Sequence, residues 1–245
     1  MRYLIGVDDT DNLDSRGTGY HARQLANTLS SSGLVQVEGI TRHQLLVDAR
    51  IRYTSHNSSA CLTVVAQPDR LSALIETCRE YLADNSAPGS DAGLCVAKWD
   101  QVVDAIQHFG QHAKHEVLTM AEARHLAEQE QLVLEGLTGD QGGIIGALAT
   151  VGLRAAGNDG RFLWLPGLRE LSGIYAADQL RRAAPIELIQ TIAGLGVLPT
   201  DRIEVGEWVR PLLKQGCALL LVEEVQHEHC EWRVIGKDTI KQLSN

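Results

Sequence analysis

Tyr3-Leu4-Ile5-Gly6-Val7-Asp8-Asp9-Thr10-Asp11 is the stretch on which the reading of this chain turns. Tyr3 to Val7 is short and apolar, as a buried strand is, and aspartates end it at once. Asn12 to Arg16 is polar, Gly17-Thr18-Gly19 follows, and Tyr20 to Leu29 has helical spacing with Leu25 and Leu29 on one face. Three carboxylates therefore lie at the carboxyl end of a strand, near a glycine-flanked threonine at a helix start. Ligands of open α/β sheets bind at that edge. Backbone N–H groups at a helix start favour phosphate, and hard carboxylate oxygens suit Mg²⁺ that bridges them to phosphates. Asp8, Asp9 and Asp11 are thus the candidate metal ligands. The same residue types also make plain solvated turns and caps. Three like charges within four positions repel unless a cation offsets them, and that favours the metal–phosphate reading.

Outward from there, Ser30-Ser31-Ser32-Gly33 stops the helix and Leu34 to Ile40 alternates as a strand. Thr41 to Val47 continues extended or as a loop, and Asp48 to Ser59 is polar, with Arg50, Arg52 and His56 as a small basic segment. Ala60 to Ala66 reads as a strand, Arg70 to Leu82 as a helix, Asp84 to Asp91 as a loop, and Gly93 to Ala97 as a strand. A helix from Gln101 to Phe109 follows. This alternation predicts a layered sheet with helices on it. Gly110 to Glu116 is a polar junction and the expected domain boundary, dividing residues 1–115 from 116–245.

Beyond it, Thr119 caps a helix to Gln131, three residues before Glu122. Val133 to Leu137 is a short strand. Thr138-Gly139-Asp140-Gln141-Gly142-Gly143-Ile144-Ile145-Gly146 is the second informative stretch, glycines entering a helix of small residues expected to end near Gly152. Such an entry lets backbone approach a ligand, or merely lets the helix pack tightly on a sheet. Arg161 to Pro166 reads as a strand, Ser172 to Arg182 as a helix, and Pro185 to Val197 as weakly helical or loop. Ile203 to Val205 begins a section in which Ala218 to Val225 and Glu231 to Ile235 form a hairpin. His108, His112 and His115 share helical spacing, and His227, His229 and Cys230 share a turn; both groups read as surface rather than metal sites.

With these residues on the page, the chain resembles the archaeal tRNA(Ile) agmatinylcytidine synthetases, the TiaS family. Ile5-Gly6-Val7-Asp8-Asp9-Thr10-Asp11 followed by Gly17-Thr18-Gly19-Tyr20 is similar to that family's opening. Asn57 within Thr54-Ser55-His56-Asn57-Ser58-Ser59-Ala60, Ala87-Pro88-Gly89 before a strand, and Gly143-Ile144-Ile145-Gly146-Ala147-Leu148-Ala149-Thr150-Val151-Gly152 are the other matches, in family order from residue 3 to 169. The resemblance implies an α+β fold: a kinase-like α/β layered domain (1–115) followed by a ferredoxin-like α+β domain (116–245). It implies ATP and Mg²⁺ as cofactors, with Asp8, Asp9 and Asp11 holding metal and polyphosphate. Asp8, Asp9 and Thr18 are the implied catalytic residues, Thr18 at the position of the family's autophosphorylated threonine. Gly17, Gly19, Asn57, Gly143 and Gly146 are the implied nucleotide-binding residues. The family's OB-fold and zinc ribbon have no room in this sequence, so the expectation is a truncated relative.

Composition bounds the function. In 245 residues, 44% are hydrophobic and the formal net charge is −9, which opposes sequence-independent binding of nucleic acid. The partners expected are a nucleotide and an unknown small acceptor; tRNA is disfavoured, and a homo-oligomer is compatible. Five scattered cysteines without a CxxC pair exclude a zinc ribbon and point to reduced thiols in a cytoplasmic protein. No signal peptide and no membrane span are read. The expected function is a Mg-ATP-dependent phosphoryl-transfer or amine-ligating enzyme acting on something smaller than tRNA. Two alternatives stand beside it. Asp9-Thr10-Asp11 has the DxD form of aspartate-nucleophile phosphatases, although Leu13 departs from their pattern. A non-catalytic module that binds a nucleotide or a partner protein is the other.

Overall fold

The computed structural model describes every residue except Ser55, Glu228 and Asn245, and leaves the side chains of Gln226 and His227 undescribed. The chain forms two compact units, residues 1–156 and 157–245. The boundary expected at 115/116 lies inside the first of them. The reason is α-helical packing: the helix after the glycine-rich stretch covers the sheet formed by the first hundred residues.

In the first unit the elements run β1 (Arg2–Asp8), α1 (Thr18–Ser31), β2 (Val35–Gln44), β3 (Ser58–Ala66), α2 (Leu71–Asn85), β4 (Gly93–Lys98), α3 (Asp104–His112), α4 (Met120–Gln129), β5 (Val133–Gly136) and α5 (Ile144–Ala156). The sheet order is β5-β4-β1-β3-β2, and every neighbouring pair is antiparallel. Strands β1 to β4 with α1 and α2 thus trace the βαββαβ order of ferredoxin-like folds. This order occupies residues 2–98, whereas the resemblance implies a ferredoxin-like domain in 116–245. Strand–helix alternation alone does not distinguish this split antiparallel arrangement from a parallel layered sheet.

Alternation along β1 sorts its side chains. Leu4, Gly6 and Asp8 face α5, and Tyr3, Ile5 and Val7 face the other side. A Cβ on Gly6 would sit 2.0 Å from the Ala147 carbonyl oxygen, so glycine there is what lets α5 lie directly on the strand. Leu4, Cys61, Cys95 and Ala97 of the sheet join Ile144, Ala147, Leu148 and Val151 of α5, and Ile106 and Phe109 of α3, in one apolar core. Helix α4 begins at the expected Thr119, whose hydroxyl accepts from the Glu122 N–H while the Glu122 carboxylate receives the Thr119 N–H.

The second unit contains β6 (Arg161–Trp164), β7 (Gly173–Ala176), α6 (Ala177–Ala183), β8 (Leu188–Gln190), β9 (Arg202–Val205), β10 (Leu212–Lys214), β11 (Cys217–His227), β12 (Cys230–Val234) and α7 (Lys237–Leu243). Its strand order is β6-β10-β11-β12-β9-β7, with β8 also pairing β11. The expected hairpin is present as β11 and β12. The helix expected from Ser172 is a strand, β7, until Ala176, because it pairs with β9 across Ile174↔Glu204 and Tyr175↔Ile203. Phe162, Leu180, Ile189, Ile203, Leu213 and Leu220 are among its core residues. His108, His112, His115 and His229 are exposed, as a surface reading requires, but Cys230, read with the turn, is buried at the start of β12. His227, part of the expected turn cluster, has a side chain outside the described residues. The five cysteines are free thiols. Among the described residues no helix is long and apolar enough to cross a membrane.

Candidate functional site

The carboxyl end of β1 opens into a cavity of about 360 Å³ within the first unit. Asp8, Asp9, Asp11 and Thr18 line it, as do Asn57, Gly143 and Gly146 from the later stretches. Segments far apart in sequence therefore meet at one place. Gly17 and Gly19 are not in the lining; Gly17 is the N-cap residue of α1 and Gly19 lies in its first turn. The β1 neighbours are antiparallel, so the site lies where β1 ends and β3 and β4 begin, not at the common carboxyl edge of a parallel sheet.

Each aspartate has its own role in this geometry. Asp8 is buried on the α5 side of the sheet, and a Cβ on Gly146 would fall 1.8 Å from its Oδ2, so the first turn of α5 closes on that carboxylate. Burial, then the charge of Asp9, pushes the Asp8 carboxyl up to about 8, against a backbone hydrogen bond from Asp9 that pulls it down. Asp9 takes a left-handed backbone conformation, φ 49°, of the strained kind that gathers at functional sites. Burial, then the charges of Asp91 and Asp11, lifts its carboxyl to about 6, with Arg52 opposing. Asp11 serves α1. Its Oδ1 accepts the Thr18 N–H at 3.2 Å and the Thr18 hydroxyl at 2.9 Å, and its Oδ2 accepts the Thr54 hydroxyl at 2.9 Å. It is a helix cap supplied from outside the helix, since Gly17 has no side chain to provide one.

Thr18 is buried and its Oγ1 also accepts from the Thr10 hydroxyl at 3.2 Å. Asn57 holds the loop before β3: its Nδ2 donates to the Leu46 carbonyl at 2.6 Å, and its own carbonyl accepts from Leu45 N–H at 2.8 Å and Gln44 Nε2 at 2.6 Å. The Gly143 N–H donates to the Asp91 carbonyl at 2.9 Å, fixing the glycine-rich turn against the start of β4.

Two further carboxylates belong to the site without a motif to mark them in the sequence. Asp91 is buried; its Oδ1 accepts the Asp140 N–H at 2.7 Å and its Oδ2 meets Arg52 Nη1 at 3.3 Å. Asp140 lines the cavity from the glycine-rich turn. Asp91 closes an ordinary-looking loop, and only its position directly before a buried strand signals it. The segment Glu116–Met120 supplies a further wall, more apolar in character.

Mg²⁺ sets its own demands on such a donor set. Among the described residues no three His, Cys, Asp or Glu side chains are grouped to hold a metal. Asp8 and Asp9 offer adjacent carboxylates whose ionisation is suppressed by burial and mutual repulsion, a charge deficit that a cation relieves. Mg²⁺ is commonly held by one or two carboxylates together with substrate phosphates, so these two residues fit it.

No protein-family profile and no curated protein matches the sequence. Solved structures do. A tRNA fluorescent labelling enzyme is similar at 23% identity and a TM-score of 0.55, over 62% of this chain and 36% of that one. TiaS in complex with an isoleucine tRNA and ATP is similar at 22% identity and a TM-score of 0.55, over 62% and 36%. TiaS with the same tRNA, AMPCPP and agmatine gives 22%, 0.54, 62% and 36%. The chain thus has a mixed α/β, TiaS-like fold over those residues, and the matched part spans about a third of each neighbour's length.

Proposed function

We propose that this protein is a Mg-ATP-dependent phosphoryl-transfer or amine-ligating enzyme whose acceptor is smaller than tRNA. The observation that carries the reading is the meeting of Asp8 and Asp9, both with strongly raised carboxyls, with the glycine-rich entry of α5 at one cavity. Positioning phosphates and offsetting their charge is most of what phosphoryl transfer requires. The fold likeness to proteins crystallised with ATP and AMPCPP supports the choice of nucleotide.

In this reading residues 1–115, closed by α5 of the same unit, act as the kinase-like nucleotide body. Mg²⁺, when bound, would offset phosphate charge and polarise the transferred group. Asp8 and Asp9 would hold it, and Asp11 would brace Thr18 beside it. Thr18 is the candidate phosphate acceptor on the chain itself. The buried walls around Asp8 would exclude water from the reacting phosphate. The absence of tRNA from the reaction belongs to the same proposal.

Incubation with Mg²⁺ and γ-labelled ATP tests it. The reading expects label on Thr18 or nucleotide turnover once an acceptor is supplied. Phosphate release from simple phosphomonoesters without ATP would favour an aspartate-nucleophile phosphatase instead. The three hydrogen bonds already taken by Asp11 weigh against that second reading, which needs this carboxyl as a mobile acid. Nucleotide binding without any turnover would favour a non-catalytic module.

A further inference from the structure

A polyphosphate entering this cavity meets several carboxylates, so the basic side chains there decide how it is received. Among the described lining residues these are Arg50, Arg52 and His56. Arg50 is committed to its own loop: its Nε and Nη2 each donate to Asp48 at 2.8 Å, and its backbone N–H donates to the same carboxylate at 2.9 Å. Arg52 is held differently. Its Nη1 reaches Asp91 Oδ2 at 3.3 Å, a long contact for an ion pair, and its Nη2 donates to the Gly89 carbonyl at 2.8 Å. The Arg52 side chain is 68% exposed while its partner Asp91 is 9% exposed.

That asymmetry matters. Asp91 is fixed from behind, by the Asp140 N–H on Oδ1 and by its own carbonyl bond to Gly143. It does not depend on Arg52 for its position. Arg52 in turn gains little from an exposed, long ion pair, and its planar fork fits a phosphate with two parallel hydrogen bonds. Its charge already reaches Asp9 at the cluster.

We propose that Arg52 is a movable anion receptor of this cavity, exchanging Asp91 and the Gly89 carbonyl for phosphate oxygens of the bound ligand. The ligand class is a polyanion of the nucleoside triphosphate kind, and the inference rests on the nucleotide reading above. Arg52 is a binding and specificity residue rather than a base or nucleophile. The exchange leaves the Asp91 charge uncompensated beside Asp9, which makes a divalent cation more necessary in the bound state than in the free one. No bond is made or broken beyond these hydrogen bonds.

The exchange predicts opposite effects for the two partners, and a static brace predicts equal ones. Calorimetric titration of the full-length protein with Mg-ATP is the test, on wild type, Arg52→Met, Arg52→Lys and Asp91→Asn, each first checked for an unchanged melting profile. Arg52→Met should weaken binding about tenfold or more, the loss of one charge-assisted phosphate contact. Arg52→Lys, which keeps the charge and loses the fork, should fall between it and wild type. Asp91→Asn should bind tighter than wild type, because it releases Arg52. Unchanged affinity in Arg52→Met overturns the proposal, and so does an Asp91→Asn variant that binds no tighter than wild type. If wild type itself binds no Mg-ATP, the nucleotide reading fails first and this inference falls with it; binding by wild type with either of the other two results removes this inference alone.

Discussion

Asp8 and Asp9 store a pH dependence that can be read with its sign. A carboxyl lifted from 3.8 to about 8 keeps its proton in the folded protein while the unfolded chain has lost it. Between those values the folded state binds more protons, so stability falls as pH rises through the window. The slope is about 1.4 kcal/mol per pH unit for one such group. Asp9 adds the same sign over the narrower span from 3.8 to about 6. Thermal melts of wild type and Asp8→Asn from about pH 5 to about pH 8, inside that window, check this: wild type should lose stability relative to the variant as pH rises, and parallel curves would contradict the burial of a protonated Asp8. Thr18 makes a second residue-scale prediction. Its hydroxyl donates to Asp11 and accepts from Thr10, so Thr18→Val should cost about 1 kcal/mol in denaturant melts. Thr18→Ser should recover most of it; a valine variant as stable as wild type would show that the cap on α1 does not need this hydroxyl.

At the scale of elements, the decisive contact is α5 on the end of β1. Gly146 leaves room for Asp8, and an alanine there would place its Cβ 1.8 Å from Oδ2. Overpacking of that kind typically costs about 1–3 kcal/mol. Gly146→Ala should lower the melting temperature, and removing the obstructing carboxylate in the double variant Asp8→Gly with Gly146→Ala should restore part of it. A double variant no more stable than Gly146→Ala would place the clash elsewhere.

Much of this contact is legible in the sequence. The apolar run ending in aspartates and the glycine-rich entry of a small-residue helix are both plain, and so is the Thr119 cap, because each is a local pattern. Their meeting is not local, and the polar junction at 110–116 conceals it by resembling a boundary. Strand β7 is hidden for the same kind of reason: Gly173-Ile174-Tyr175-Ala176 is extended only because Arg202–Val205 pairs with it. β8 and β10, three residues each, are too short to carry a period. Asp140 lies inside the glycine-rich stretch and Asp91 just before a buried strand, but only tertiary placement brings the two carboxylates to the cavity of Asp8 and Asp9.

At the scale of the whole molecule, 31 acidic residues stand against 22 basic ones. A net field of that sign opposes the phosphate backbone, and few cationic contacts give weak, shallowly salt-dependent binding. Gel-shift titration with purified tRNAs should show weak binding without preference for an isoleucine tRNA. Selective binding below about micromolar, tighter than ordinary non-specific affinity, would instead restore an anticodon base as the acceptor.

The central claim is that the β1 carboxylates receive a nucleotide through a divalent cation. Calorimetry of ATP binding to the full chain, with Mg²⁺ and then with a chelator, tests it most directly. The account predicts binding with Mg²⁺ that is lost on chelation and weakened in Asp9→Asn at unchanged fold. Equal affinity with and without the cation, or an Asp9→Asn variant that binds as wild type does, would contradict it.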